Sequence, residues 1–508
     1  MSNIPVYTTA EIRTIESLAL SVAHPPPLME RAGRAAAEIV RTRLLTSNHE
    51  RILILAGPGN NGGDALVAAR YLHDWGKQIT LVFAGKAERL SQDARQALAQ
   101  WQAVGGTVIP EIPAGRQWDA VIDGLFGIGL NETRPLAENY QQLIRQINQL
   151  NLPVLALDIP SGLLSDSGRV ADVAIRAAIT ATFIALKPGL LTSDGCDYCG
   201  EIIVCDLELD AAALIPPHHW LLDRASIATR LPSPRRANSH KGTYGRLGIL
   251  GGTTGMIGAA LLAGRAALKL GAGRVYLGLL AQENAPVVDL VQPELMLRPP
   301  ADFFDPDHLN GLDGLVIGPG FGTEITACIY LEQALQTHLP LVLDADALNL
   351  IAQHEELHSA LQARSASSIL TPHPAEAARL LNTTVAEIQR NRLEAAQNLA
   401  RQFNCAIVLK GAGSICAFPE GACHFNTSGN PGLSSAGTGD VLSGFLGALL
   451  VQGVSAENAL LLAVYLHGAA ADVLLKQQHG PVGMTASEII PVARDLLNSW
   501  IGSEIESR

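Results

Sequence analysis

The sequence is short of positive charge. Its 36 lysines and arginines are outnumbered by 48 acidic residues, giving a formal net charge of −12. That balance argues against DNA or RNA as a partner, because phosphate-backbone binding is built on an excess of cations. Small phosphorylated ligands stay open, since helix N-termini hold them without net positive charge. Charged residues of either sign make up only 17% against 48% hydrophobic, which fits packed cores rather than disorder. The first 17 residues, MSNIPVYTTAEIRTIES, hold no basic stretch leading into an apolar one, so no secretory signal is expected. Thr8 and Glu11 read instead as a capping box opening a helix. Apolar runs such as 441–454 are too short and glycine-rich to span a bilayer. A cytoplasmic protein with no membrane partner is expected. The seven cysteines are odd in number and irregularly placed, so no disulfide framework is implied. Cys196 and Cys199, with Cys205 nearby, lack the second pair that a zinc site needs and read as reduced thiols. No Walker A sequence occurs, which excludes a P-loop enzyme.

What the chain has is length, glycine and alternation. At 508 residues, two domains are expected, each able to bury a full core. In the first half, short apolar strands at 51–57, 78–85, 119–127, 153–162, 181–189 and 201–207 alternate with helices at 64–75 and 87–104. Continuous apolar strands between helices imply a parallel sheet covered on both faces. Prolines 216, 217, 232 and 234 mark a linker over 209–234. The second half restarts with strands at 246–252, 274–280, 314–320, 340–346, 368–374 and 406–413. The fold class is therefore α/β, with domains at 1–215 and 225–508. The apolar, small-residue helices at 257–270 and 457–475 suit either the core or a subunit interface, and a homo-oligomer is expected.

The segment GNPGLSSAGTGDVLSG at 429–444 is the most informative stretch. A glycine-rich turn opening a helix aims unpaired N–H groups at one point, and the helix dipole adds positive potential there. Asp440 stands at that helix start. An anion cradle beside a single base is what phosphoryl transfer to a hydroxyl requires. Four more glycine- or polar-rich strand ends accompany it: 251–259, 318–322, 344–349 and 371–374. A fifth, Lys410-Gly411-Ala412-Gly413-Ser414, sends a lysine toward a nucleotide phosphate past glycines that let backbone amides approach. His373 is rigidly placed between two prolines.

In the first half, GPGNNGGD at 57–64 follows a strand and opens a helix. It satisfies G-x-G-x-x-G, but no acid ends the second strand as a dinucleotide fingerprint demands. A phosphate-accepting loop with two amides and a carboxylate remains. Asp123 and Asp158 end two further strands at the same sheet edge. Asn61, Asp123 and Ser161 offer oxygens of low total charge, which suits a hard cation rather than zinc. His354-Glu-Glu-Leu-His358 satisfies H-E-x-x-H, but nothing nearby supplies a third ligand.

LMERAG at 28–33, GPGNNGGD at 57–64, DGLFGIGL at 123–130, DIPSG at 158–162 and Thr182-x-x-x-x-Lys187-Pro-Gly resemble the NAD(P)H-hydrate epimerases, whose domain is a Rossmann-like three-layer αβα sandwich. HKGTYG at 240–245, PELM at 293–296, AVYLHG at 463–468, GMTASEI at 483–489 and the strand ends above resemble the ADP-dependent NAD(P)H-hydrate dehydratases, which are ribokinase-like. The resemblance implies an enzyme that interconverts the R and S epimers of hydrated NADH or NADPH at C6. It would dehydrate the S form at the expense of ADP, giving AMP and phosphate. It further implies that Asn60, Asn61, Gly62, Gly63 and Asp64, with Gly127, Ile128, Gly129, Leu130, Asn131, Glu132 and Thr133, hold the hydrated dinucleotide. Asp158 would lie near the reacting carbon, and Asn61, Asp123 and Ser161 would hold potassium. In the second half, Ala259, Gly322, His373 and Asp440 would contact the hydrate. Lys410, Gly411, Ala412, Gly413, Ser414 and Gly439 would hold ADP with Mg2+. Ala65, Ile128, Ala375 and Ser414 depart from the family pattern. A vitamin-precursor kinase sharing the GTGD turn is the alternative.

Overall fold

A computed structural model describes residues 4–46, 49–86, 88, 90–130, 136–281 and 285–506. Asn131, Glu132 and Thr133 lie outside the described residues. The chain divides into two compact units, one over Ile4–His219 and one from Trp220 onward.

The first unit is built on six parallel strands: β1 (Arg51–Ala56), β2 (Gln78–Phe83), β3 (Ala120–Gly124), β4 (Val154–Leu157), β5 (Ile179–Phe183) and β6 (Glu201–Cys205), in the order β2-β1-β3-β4-β5-β6. Side chains alternate across a strand, so a sheet covered on both faces needs apolar residues at every position. β1 does this: Ile52 and Ile54 join one buried cluster, and Leu53 and Leu55 join the other. The chain leaves β1 to form β2 on one side and returns to β3 on the other. That reversal opens a crevice at the carboxyl ends of β1 and β3. The Thr8–Glu11 capping box forms as expected and starts the helix Thr9–Leu20.

The second unit holds β7 (His219–Leu222), β8 (Arg246–Gly251), β9 (Arg274–Leu279), β10 (Met296–Arg298), β11 (Gly314–Ile317), β12 (Leu341–Leu343), β13 (Ser368–Leu370), β14 (Ala406–Leu409), β15 (Ser414–Ala417) and β16 (Cys423–Asn426). Their order is β7-β16-β15-β14-β13-β12-β11-β8-β9-β10, parallel from β14 to β10 and antiparallel through β15 and β16. Three helices pack into one core beneath it: α1 (Ile257–Lys269), α2 (Thr438–Val451) and α3 (Ala456–Gln478). Ala260, Ala263, Ala266 and Ala267 of α1 are fully buried, because an added Cβ at Gly444 of α2 would lie 2.2 Å from the Ala263 carbonyl. The small residues of α1 and α3 therefore serve the core. Among the described residues α3 alone is long and apolar enough to cross a membrane, and 67% of its apolar window is buried within the protein.

Several boundaries differ from expectation; the helix read as 87–104, for one, runs over Gln92–Ala103. The helix read as 64–75 begins four residues earlier, at Asn60, and runs to Asp74. The proline-marked linker over 209–234 contains β7 and the short helices Ala211–Leu214 and Arg224–Ala228, the last fixed by its own Asp223–Ser226 capping box. Prolines 216 and 217 stand before β7 and leave its ladder intact, since a proline harms a strand only from inside it.

Candidate active sites

Four adjacent strands of the first unit deliver the first site. Gly57–Gly59 carry β1 into the helix Asn60–Asp74, so Asn61 is a first-turn residue and Asp64 opens the second turn, rather than both standing in a loop. Gly62 is required by a close approach, because a Cβ there would lie 1.9 Å from the Gly57 carbonyl. Gly124 performs the same service for Ala65, whose methyl the sequence flagged as a departure. An added Cβ at Gly124 would lie 2.6 Å from that methyl.

Asp123, at the end of β3, is wholly buried. Its Oδ1 accepts from the Ser161 hydroxyl at 2.7 Å and its Oδ2 from the Ser161 amide at 2.8 Å. Burial pushes its carboxyl up to about 6 in spite of those bonds. Asn61 is 7% exposed, and both of its side-chain polar atoms lack a protein partner. A buried amide with nothing to bond is costly, which is the mark of a site built for something else. Asp123 and Ser161 are thus joined by two hydrogen bonds, and Asn61 follows the neighbouring strand β1.

Asp158 follows β4 in a left-handed backbone conformation, φ 65°, which is rare outside glycine and concentrates at functional sites. Its Oδ1 accepts from Lys187 Nζ at 2.5 Å and from the Phe183 amide at 3.3 Å. Gly127 brings the 127–130 loop against it: a Cβ at Gly127 would lie 3.2 Å from Asp158 Oδ2 and 3.4 Å from the Asn61 side chain. Ile128 packs against the core instead of standing free. Asp64 is buried, and its carboxyl is held well above the usual range first by burial and then by the charges of Asp158 and Glu16. Glu16, from the N-terminal helix, is raised by burial and by Asp158. Sequence reasoning missed Glu16, for which no motif gives a signal. It quoted Lys187 inside a motif without giving it a task.

In the second unit the chain ends of β8, β11, β12, β13 and β14, five neighbours in the sheet, meet the N-terminus of α2. Gly437 caps α2 at φ 87°, and the Thr438 hydroxyl closes the turn onto the Leu433 and Ser435 carbonyls. Asp440 occupies the first turn, where the aligned amides face it. Its carboxyl is pushed up to about 7 by burial first and by the Asp344 charge second, against the opposing pull of Lys410. Lys410 is paired: its ammonium donates to Asp344 Oδ1 at 2.8 Å. Ser443 donates to the other Asp344 oxygen at 2.8 Å, and the ammonium holds Asp344 below the usual carboxylate range in spite of burial. A Cβ at Gly439 would lie 3.5 Å from Lys410 Nζ, so this turn settles close over the ion pair.

Arg392 is a buried cation with a defined task. It donates to the carbonyls of Leu409 at 3.3 Å and Lys410 at 3.2 Å, and its guanidinium lies 2.9 Å from where a Gly411 Cβ would be. It anchors the Lys410–Ser414 turn, within which Ser414 donates to the Gly411 carbonyl at 3.0 Å. The Gly322 amide donates to Asp346 at 2.8 Å, and Ala259 lies in the first turn of α1 opposite Gly320. His373 caps the helix Pro374–Leu380, its Nδ1 accepting from the Ala375 amide at 3.0 Å. Burial, then Lys410, lowers its pKa, and a ring that accepts at Nδ1 carries its proton on Nε2. Asp344 and Asp346, which sequence left without roles, are thus the hub of the site and the anchor of its Gly322 loop. Their signal was the LVLDAD strand end.

His354 falls between the helices Ala345–Gln353 and Glu355–Gln362, and His358 packs against Phe403 and Gln402. The H-E-x-x-H string therefore lacks the single helix that would aim both rings at one metal. Among the described residues the cysteines are all free.

Residues 247–493 match the NAD(P)H-hydrate dehydratase family, and residues 26–189 match the YjeF-related protein N-terminus. A bifunctional NAD(P)H-hydrate repair enzyme of Coxiella burnetii is 37% identical over 97% of this chain and 99% of its own length. The chain belongs to the family of bifunctional NAD(P)H-hydrate repair enzymes. The repair enzyme of Escherichia coli is likewise 37% identical, over 93% of this chain and 89% of its own. Among solved structures, an ADP/ATP-dependent NAD(P)H-hydrate dehydratase from Bacillus subtilis, co-crystallised with ATP and Mg2+, is 32% identical with a TM-score of 0.50. That match covers 55% of this repair enzyme and 98% of the Bacillus chain.

Proposed function

We propose that the first unit epimerises hydrated NADH and NADPH at C6 and that the second dehydrates the S form at the expense of ADP, giving AMP and phosphate. The observation that carries this reading is the pairing of Asp440 with the α2 amides: a base raised to about 7 beside an anion cradle. A base serves best when its pKa lies near the working pH.

Hydroxide is a poor leaving group and phosphate a good one. Asp440 takes the C6 hydroxyl proton as that oxygen attacks the β-phosphorus of ADP, and the bond to AMP breaks. The helix-start amides stabilise the charge on the transferring group. The C6–O bond then breaks with phosphate leaving, assisted by the lone pair of N1, and loss of the C5 proton restores the dihydropyridine. Lys410 and the 411–414 amides bind the nucleotide phosphates, while Ala259, Gly322 and His373 line the hydrate's side. Bound Mg2+ would supply charge neutralisation on the nucleotide phosphates.

In the first unit, C6 carries both the hydroxyl and the ring nitrogen. Taking the hydroxyl proton opens the C6–N1 bond, and closure on the other face gives the other epimer. Asp158 handles that proton. The Asn60–Asp64 turn and the 127–133 loop bind the dinucleotide. Asn61, Asp123 and Ser161 suit potassium, whose charge would help hold the substrate phosphates; the unpartnered Asn61 amide supports that fit. The reaction belongs in the cytoplasm, and the protein works as a homo-oligomer.

The test is to incubate purified protein with mixed R and S hydrate, K+, Mg2+ and ADP while following NADH absorbance. Complete recovery with stoichiometric AMP is expected. Recovery that stops at the S fraction removes the epimerase reading. A stable phosphorylated product without NADH would favour the small-molecule kinase.

A further inference from the structure

The ammonium of Lys187 is the most deeply buried cation of the first unit, with a side chain 0% exposed. It has three protons to donate. Asp158 Oδ1 takes one at 2.5 Å, the Phe183 carbonyl another at 2.7 Å, and the Thr182 hydroxyl oxygen the third at 2.9 Å. No donor is left for a ligand, so Lys187 acts through its neighbour. Asp158 Oδ1 is likewise fully used, by that ammonium and the Phe183 amide. Among the described residues Oδ2 has no such bond, and it faces Gly127, 3.2 Å from where a Gly127 Cβ would be.

We infer that Lys187 is a positioning residue for epimerisation: it pins Oδ1 of Asp158 and leaves Oδ2 as the oxygen that exchanges a proton with the C6 hydroxyl. The inference rests on the epimerase reading above. The proton passes from the hydroxyl to Oδ2 as the C6–N1 bond opens, and returns to the same oxygen when N1 closes on the opposite face. No electron is gained or lost, so no further reactant is needed.

Glu16, with Arg13 beside it, approaches from the N-terminal helix, and Asp64 approaches from the helix Asn60–Asp74. Lys187 is the cation in direct contact with Asp158, and Thr182 and Phe183 of β5 hold it in place. A proton acceptor in this crowd must be kept still, and that side chain does so.

The experiment follows conversion of pure R hydrate to S by chromatography, with full-length protein and no ADP or ATP, so that the second unit is idle. Lys187→Met should lower kcat on the order of 100-fold with KM within a few-fold. Thr182→Val, which removes one anchor but keeps the charge, should lower kcat about tenfold or less with KM unchanged. A Lys187→Met protein with wild-type kcat overturns the inference. So does one whose kcat falls only in proportion to its folded fraction by circular dichroism. If Lys187→Met does not fold, Thr182→Val decides, and a wild-type kcat in it overturns the inference. A wild-type protein that leaves R hydrate untouched would instead sink the epimerase reading itself.

Discussion

Asp344 should set the pH at which the dehydratase works, and replacing it with Asn should show this. Asp440, with a pKa of about 7, is ionised to about a tenth at pH 6 and about nine-tenths at pH 8, so wild-type kcat/KM should rise about tenfold between them. Burial is the largest cause of that raised value and the Asp344 charge is the second. Asp344→Asn keeps the shape and removes the charge. It also releases Lys410, which now donates to Asp344 at 2.8 Å and already pulls Asp440 downward. Both changes act in one direction. The acid limb should fall by on the order of 1–3 pH units, the usual effect of one nearby charge. A less basic Asp440 is also a poorer base, so the plateau above pH 8 should drop. The signature is a variant that loses activity at pH 8 but closes the gap to wild type as pH falls to 6. The assay is NADH formation from pure S hydrate with ADP and Mg2+, buffered from pH 5 to 9. An acid limb that stays near 7, or moves up, would refute the electrostatic argument and leave Asp344 a purely structural residue.

Asp440→Asn should lower dehydration by on the order of 10²–10⁴-fold and remove the acid limb, with R-to-S conversion retained. Asp158→Ala should abolish epimerisation alone, seen as NADH recovery that halts once the S fraction of a mixed substrate is spent. Gly411→Ala should weaken ADP binding without unfolding the protein: the residue sits at φ 138°, and the new methyl would lie 2.9 Å from the Arg392 guanidinium. Strain of roughly 1–3 kcal/mol at that turn corresponds to a rise in the KM for ADP of roughly 5- to 150-fold, and an unchanged KM would show that the turn does not touch the nucleotide.

Much of this protein was legible one residue at a time. Continuous apolar runs between helices gave parallel sheets, because only strands covered on both faces need such runs. The GTGD turn marked a candidate anion site because glycine followed by a helix leaves amides unpaired. The Thr8–Glu11 box, the reduced cysteines and the acidic surface needed no fold at all. Other features were ambiguous for a stated reason. In NNGG the glycines read as loop, yet they form the first helical turn. Gly62 is there for its closeness to the Gly57 carbonyl, and a sequence cannot tell a glycine kept for flexibility from one kept for space. The proline cluster at 216–234 likewise hid a four-residue strand too short to show a period.

Sequence by itself determined the α/β class, the candidate strand ends and the two carboxylates, Asp158 after a strand and Asp440 at a helix start. Only tertiary structure decided which charge each carboxylate faces. Lys187 is 29 residues from Asp158, and Lys410 is 66 from Asp344. Nothing local fixes those pairs; the sheet order does, by setting the ends of β4 and β5 side by side and those of β12 and β14 one strand apart. Electrostatic energy depends on distance and burial, neither of which is written in sequence spacing. The residues that could do acid–base chemistry were visible in the chain, whereas their proton affinities belong to the fold.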